Sequence, residues 1–196
     1  MPNLGVINGF EINGASAAVS IPAEYPSSTR YTCVLTGSPD LTLPISSFQA
    51  RYRNGEPSYL SVTVPNAVDY ADEIDARSSG QIVITRTTYD SSGAQLSSGE
   101  LLRVDLETIR LDYGSRSSSA SLDGHRTTSN GTPQTVALVG ASYKNVNAGL
   151  RRFRCSPNTS LRPGDTAQIN GEEIVVGYIT YTVSVKSETM EILEAE

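Results

Sequence analysis

Turn chemistry limits this chain more than any other feature. Asn-Gly occurs at Asn8-Gly9, Asn13-Gly14, Asn54-Gly55, Asn130-Gly131 and Asn170-Gly171. The pair accepts positive φ at both centres of a type I′ turn, so it is the strongest short hairpin signal. Ser38-Pro39-Asp40, Asp90-Ser91-Ser92-Gly93, Asp123-Gly124 and Arg162-Pro163-Gly164-Asp165 add further turns. Punctuation this dense leaves room for strands and little else, so the expected fold is mostly β.

Between the turns, several segments alternate as strands do. Tyr59–Val64 alternates between faces and stops at Pro65. Gln81–Tyr89 is rich in β-branched residues, and Leu101–Leu111 sets Leu102, Val104 and Leu106 against Arg103, Asp105 and Glu107. Thr135–Val139 is another strand, and Thr189–Leu193 a last one. Ile174–Val185 is long enough to bend, with Gly177 as the expected bulge or close-contact point. One short helix fits near residues 66–77. Asn66 is placed to cap it, Asp69 sits in its first turn, and Ala67, Tyr70, Ala71 and Ile74 share one face. A weak boundary at 126–134 divides the chain into a domain over 1–125 and a β unit over 135–196, which completes or follows the first; one domain is the alternative.

Composition narrows the chemistry. With a formal charge of −6, the chain as a whole gets no electrostatic help in binding nucleic acid. No apolar run approaches the length of a bilayer span, and Met1-Pro2-Asn3-Leu4 does not open a secretory signal, so folding in a cytoplasm is expected. Cys33 and Cys155 lie far apart without CxxC spacing and read as buried small hydrophobes; a disulfide cannot be judged from sequence. His125 is the only histidine, which argues against a zinc centre. No GxSxG elbow or phosphate-loop pattern accompanies it, so His125 reads as an exposed or hydrogen-bonded residue in an Asp-Gly-His-Arg turn. Asp105 and Glu107 share a strand face as glycosidase acids do, but Arg103 and Arg110 offer simple surface pairing. The expectation is no catalytic residue, no metal and no cofactor.

The basic segment Leu150-Arg151-Arg152-Phe153-Arg154-Cys155 stands out. On a strand, Arg152 and Arg154 face one way and Arg151, Phe153 and Cys155 the other. Arginine beside an aromatic suits an ion-paired subunit interface; a protected exposed strand is the plainer reading, and nucleic-acid contact a third. Arg151, Arg152 and Arg154, with Arg162 and Asp165 of the later turn, are the candidate interface residues. A carbohydrate- or receptor-binding β module is the competing function: Tyr25, Tyr31, Tyr52 and Tyr59 would serve as its platform, against the absence of Trp.

Leu161-Arg162-Pro163-Gly164-Asp165-Thr166, then Ile169-Asn170-Gly171, then Val175 to Ser184 and the short Thr189–Ile192 together resemble the β-barrel segment of bacteriophage tail-tip proteins, the hub and distal-tail group of long-tailed phages. The opening Gly5-Val6-Ile7-Asn8-Gly9-Phe10 and the middle, Tyr59–Val64 through Ile84, are similar to the same group. The resemblance implies one or two small β-barrels of split-barrel type. It further implies a non-enzymatic virion protein assembled in the host bacterial cytoplasm, forming a trimeric or hexameric ring at the distal end of the tail tube. Its partners would be copies of itself, tail tube, hub and fibres, with neither membrane nor specific nucleic-acid binding. The short chain favours a distal-tail or hub-adaptor role, and Ser115–Ser119 and the N-terminal Asn-Gly segment would be its joining arms.

Overall fold

The computed structural model describes residues 28–114, 117–127, 131–147 and 149–196. The turns at Asn8-Gly9 and Asn13-Gly14, Tyr25, and the loop at Ser115-Arg116 lie outside the described residues. Thirteen strands are described. They are β1 (Ser28–Leu35), β2 (Leu41–Leu43), β3 (Ser47–Arg53), β4 (Ser58–Pro65), β5 (Gln81–Tyr89), β6 (Gln95–Tyr113) and β7 (Ser118–Arg126), then β8 (Thr135–Leu138), β9 (Ser142–Asn147), β10 (Leu150–Cys155), β11 (Thr166–Ile169), β12 (Glu172–Ser184) and β13 (Ser187–Glu194). A 3₁₀ turn, Ala67–Tyr70, leads into a short helix, α1 (Ala71–Asp75). The fold is therefore mostly β with one short helix.

The ladder runs β2-β1-β5-β6-β7-β4-β3-β12-β13-β10-β9, with β11 attached to β12 and β8 to β11. Among the described strands this path is open, with β2 and β9 at its ends, so no closed barrel ladder forms. Two compact units divide the chain. The smaller includes Thr87–Ser98, and the larger is Tyr31–Arg86 with Gly99–Glu196. In the smaller, Asp90 Oδ1 accepts from the Ser92 and Ala94 amides at 2.8 Å each, and Gly93 takes φ 86°, as the Asp-Ser-Ser-Gly turn requires.

Within the larger unit the alternation follows the sequence. Ser58, Leu60, Val62 and Val64 of β4 point inward, and Tyr59, Ser61, Thr63 and Pro65 lie half-buried. Asn170 (φ 51°) and Gly171 (φ 87°) form the β11–β12 hairpin turn that the Asn-Gly pair specifies. The β12 ladder shifts register between Val176 and Tyr178, and a Cβ on Gly177 would lie 2.8 Å from Ala195 Cα. Gly177 is thus both bulge and close-contact point.

Two expectations are corrected. Asn66 is left-handed (φ 53°, ψ 43°) and its side chain caps nothing. The Ser118 hydroxyl instead accepts from the Val68 amide at 3.1 Å, because the start of β7 passes close enough to replace a local cap. Asp123-Gly124-His125-Arg126 is not a turn but the second half of β7, paired on both sides with β4 and β6.

Cys33 and Cys155 are buried and free, as small hydrophobes. Burial pushes both thiols up to about 12, so the reactive thiolate is scarce at neutral pH. Both are expected to resist alkylation at pH 8 in the native state and to react together once denaturant unfolds the chain. Fast labelling of either before the unfolding transition contradicts that packing.

Candidate functional site

Pairing of β12 with both β3 and β13 carries residues far apart in sequence onto one face. The register aligns Arg154, Glu191, Thr180, Arg51, Tyr59 and His125 in one row across six strands. The neighbouring row holds Arg152, Leu193, Tyr178 and Arg53. Phe153 and Cys155, of opposite parity to Arg152 and Arg154, are buried. Between the rows lies an open cleft of about 680 Å³, lined by arginines 51, 53 and 152, with Tyr59, His125 and Tyr178 among its walls.

The cleft's side chains are held unequally. Arg51 Nη2 donates to Gln49 Oε1 at 2.7 Å, and its guanidinium stands 5.6 Å from the Tyr59 ring centre. On the same ring, His125 packs at 4.9 Å, while its Nδ1 lies 2.9 Å from Glu107 Oε2. Tyr59 in turn donates its hydroxyl to Asp123 Oδ1 at 3.1 Å. Arg53 pairs with Glu56 at 2.9 Å. Neither the Arg152 nor the Arg154 guanidinium has a hydrogen-bond or ion-pair partner among the described residues.

The other arginines and acids of the sequence reading sit elsewhere. Arg151 forks onto Glu194, with Nε 2.9 Å from Oε2 and Nη2 2.6 Å from Oε1, and its Nη1 reaches Glu172 Oε2 at 2.8 Å. Asp165 is buried and accepts from the Arg162 amide at 2.7 Å and the Gln134 amide at 3.0 Å, which ties the Arg-Pro-Gly-Asp turn to the start of β8. Arg162 donates to the Thr159 and Leu161 carbonyls and stacks 5.7 Å over Tyr52. Arg103 bonds Glu100 rather than Asp105, which takes a hydrogen bond from Gln81. Tyr52 is buried and Tyr31 donates to Glu188 at 2.6 Å, so neither offers a free stacking platform. Sequence reasoning missed Arg51, Arg53, Tyr59 and Tyr178 as neighbours of Arg152, because only the β3–β12 register brings them there.

The bonds from Arg151 hold the Glu194 carboxyl below the usual carboxylate range. Its folded value is depressed, so the pair's contribution is complete above the ordinary value of 4.5 and is lost as pH falls through the lower folded value. Glu194→Gln should therefore flatten the loss of stability below that pH. Urea midpoints measured down the acid range, with parallel slopes for both proteins, would sink this assignment.

No protein-family model and no curated protein matches the sequence. Solved structures do match by shape. An Escherichia coli protein, a component of the type VI secretion system structurally similar to the T4 bacteriophage tail proteins gp27 and gp5, aligns over 84% of this chain and 77% of its own at TM-score 0.53 and 6% identity. A tail protein from Neisseria meningitidis aligns over 85% of this chain and 96% of its own at TM-score 0.52 and 5% identity. The chain shares the fold of these phage-tail-type proteins.

Proposed function

We propose that this chain is a structural subunit of a phage-type tail, placed at the distal end of the tail tube. There, copies join in a three-fold or six-fold ring that connects the tube to hub or fibres. The observation that carries the reading is the fold shared with a tail protein over 85% of this chain and 96% of that one. The face of β10 supports it further: two arginines whose guanidiniums have no partner among the described residues stand on the sheet, where guanidinium groups suit ion-paired contact with a neighbour. The virion is then the site of action, and neighbouring tail components are the partners.

Light-scattering mass of the purified chain, followed by negative-stain imaging, tests the reading. Closed rings of three or six copies are expected, in free solution or on isolated tail tubes. A single-chain mass together with no retention on tail tubes would overturn it.

A further inference from the structure

Charge clusters of opposite sign stand apart on the sheet. The acids follow the end of β4. The arginines lie on or beside the row that crosses β4 near its start, Arg51 on neighbouring β3 and Arg152 and Arg154 on β10 beyond β12 and β13. Tyr59, in the wall of the arginine cleft, lies at the start of β4; the 3₁₀ turn and α1 follow its last residue, Pro65. At a strand rise of roughly 3.3 Å per residue, the two ends of β4 are about 23 Å apart. One cluster is Arg152 and Arg154 with Arg51. The other is Asp69, Asp72, Glu73 and Asp75, all exposed, none with a side-chain partner among the described residues. Arg77, the nearest base in sequence, spends its guanidinium on the carbonyls of Pro39 and Glu73.

The acids stand three and four residues apart, as Asp69 and Asp72, Asp69 and Glu73, and Asp72 and Asp75. Like charges at those spacings on a helical turn repel one another. On the other side, the guanidiniums of Arg152 and Arg154 have no hydrogen-bond or ion-pair partner among the described residues, with Glu191 the one acid opposite them in the β10–β13 register. The two surfaces are too far apart to meet within one chain, and a second copy can join them.

We propose that the acidic 69–75 segment of one copy docks on the arginine face of the next, its carboxylates accepting hydrogen bonds from the Arg152 and Arg154 guanidiniums. The inference rests on the ring reading above and names the surfaces that meet. The contact is head-to-tail: each copy offers one of each surface, the arrangement that closes rings when the rotation fits. Guanidinium binds carboxylate through two parallel hydrogen bonds, which fixes orientation as well as attraction.

The test is a charge swap in the full chain, followed by light scattering at about 10 mM ionic strength, where screening reaches only beyond about 30 Å. The variants are Arg152→Glu with Arg154→Glu, Asp72→Arg with Glu73→Arg, and all four together. Circular dichroism and melting keep only variants folded like the wild type. The wild type is expected to assemble, each one-sided reversal to weaken assembly by about a hundredfold or more, and the four-fold variant to assemble again. Assembly indifferent to both reversals overturns the docking and leaves the ring reading standing. Failure of the folded four-fold variant to recover, when each reversal alone disrupts assembly, also overturns the pairing. A wild type that stays a single chain, in solution and on tail tubes, overturns both. Capture of an acidic polysaccharide by the wild type at single-chain mass, abolished by the arginine reversal, assigns the face to a receptor instead and overturns the docking.

Discussion

Tyr181→Ala is expected to lower the free energy of unfolding by about 3–5 kcal/mol, the range for removing a large buried aromatic. Tyr181 is fully buried on β12, between Ala50 of β3 and Met190 of β13. Its ring meets Tyr52 edge-on with centroids 5.8 Å apart, and its hydroxyl donates to the Asn158 carbonyl at 2.7 Å. Tyr52 passes the connection on by donating its own hydroxyl to the Leu101 carbonyl of β6. Truncation thus opens a cavity and removes a tie between the β12 strand and the loop before β11. Tyr181→Phe keeps the ring and loses only the hydrogen bond, so it should cost about 1 kcal/mol. Urea unfolding of the three proteins reads the difference. Equal losses for Ala and Phe would mean that packing at this position is not what holds β12 in place.

Gly124→Val is expected to cost about 3 kcal/mol or more, at the top of the range for overpacking. A Cβ on Gly124 would run into the Asp105 carbonyl oxygen and sit 2.9 Å from Val104 Cγ2. The obstacle is backbone of the neighbouring strand, locked in its ladder, and it cannot swing aside as a surface side chain would. The β6 register shifts immediately afterwards, between Leu106 and Thr108, so the tight approach and the bulge belong together. Gly99 is the control: its Cβ would meet only Thr159 Oγ1, at an ordinary 3.6 Å. Gly99→Ala should stay within about 0.5 kcal/mol of the wild type. If the two substitutions have similar effects, the close approach at Gly124 is not real.

The same glycine shows where sequence reading stops. Asp-Gly is a good turn by local chemistry, and the sequence predicts one at Asp123-Gly124. In the fold Gly124 serves a non-local need, the approach of β6, which no window around residue 124 reveals. Asn66 fails as a cap for the same reason: Ser118, more than fifty residues later, supplies the acceptor. Gly177 was legible because a glycine within a long apolar strand has few other uses. Where the local pattern and the tertiary demand agree, as in β4, β5, β12 and β13, the strands were legible to within a residue or two. The candidate face was only half legible. Parity alone placed Arg152 and Arg154 on one side of β10, but Arg151 finds Glu194, and Arg51 and Tyr59 find their row, through registers that depend on the whole sheet.

The pairing of β3 with β12 has a consequence for how the chain is made. β3 ends at Arg53 and its partner closes at Ser184. A ribosome adding about 5–20 residues per second needs on the order of ten seconds to cover that interval. Throughout it, the edge of β3 that will receive β12 is open to water, to chaperones and to other nascent chains. Local hairpins such as β3–β4 are free to form early, while the central seam of the sheet waits until β12 has emerged. Such a chain folds slowly for its size, because the loop must close before the ladder rewards it. Fusions or truncations that remove β12 should therefore yield aggregates rather than a smaller soluble domain.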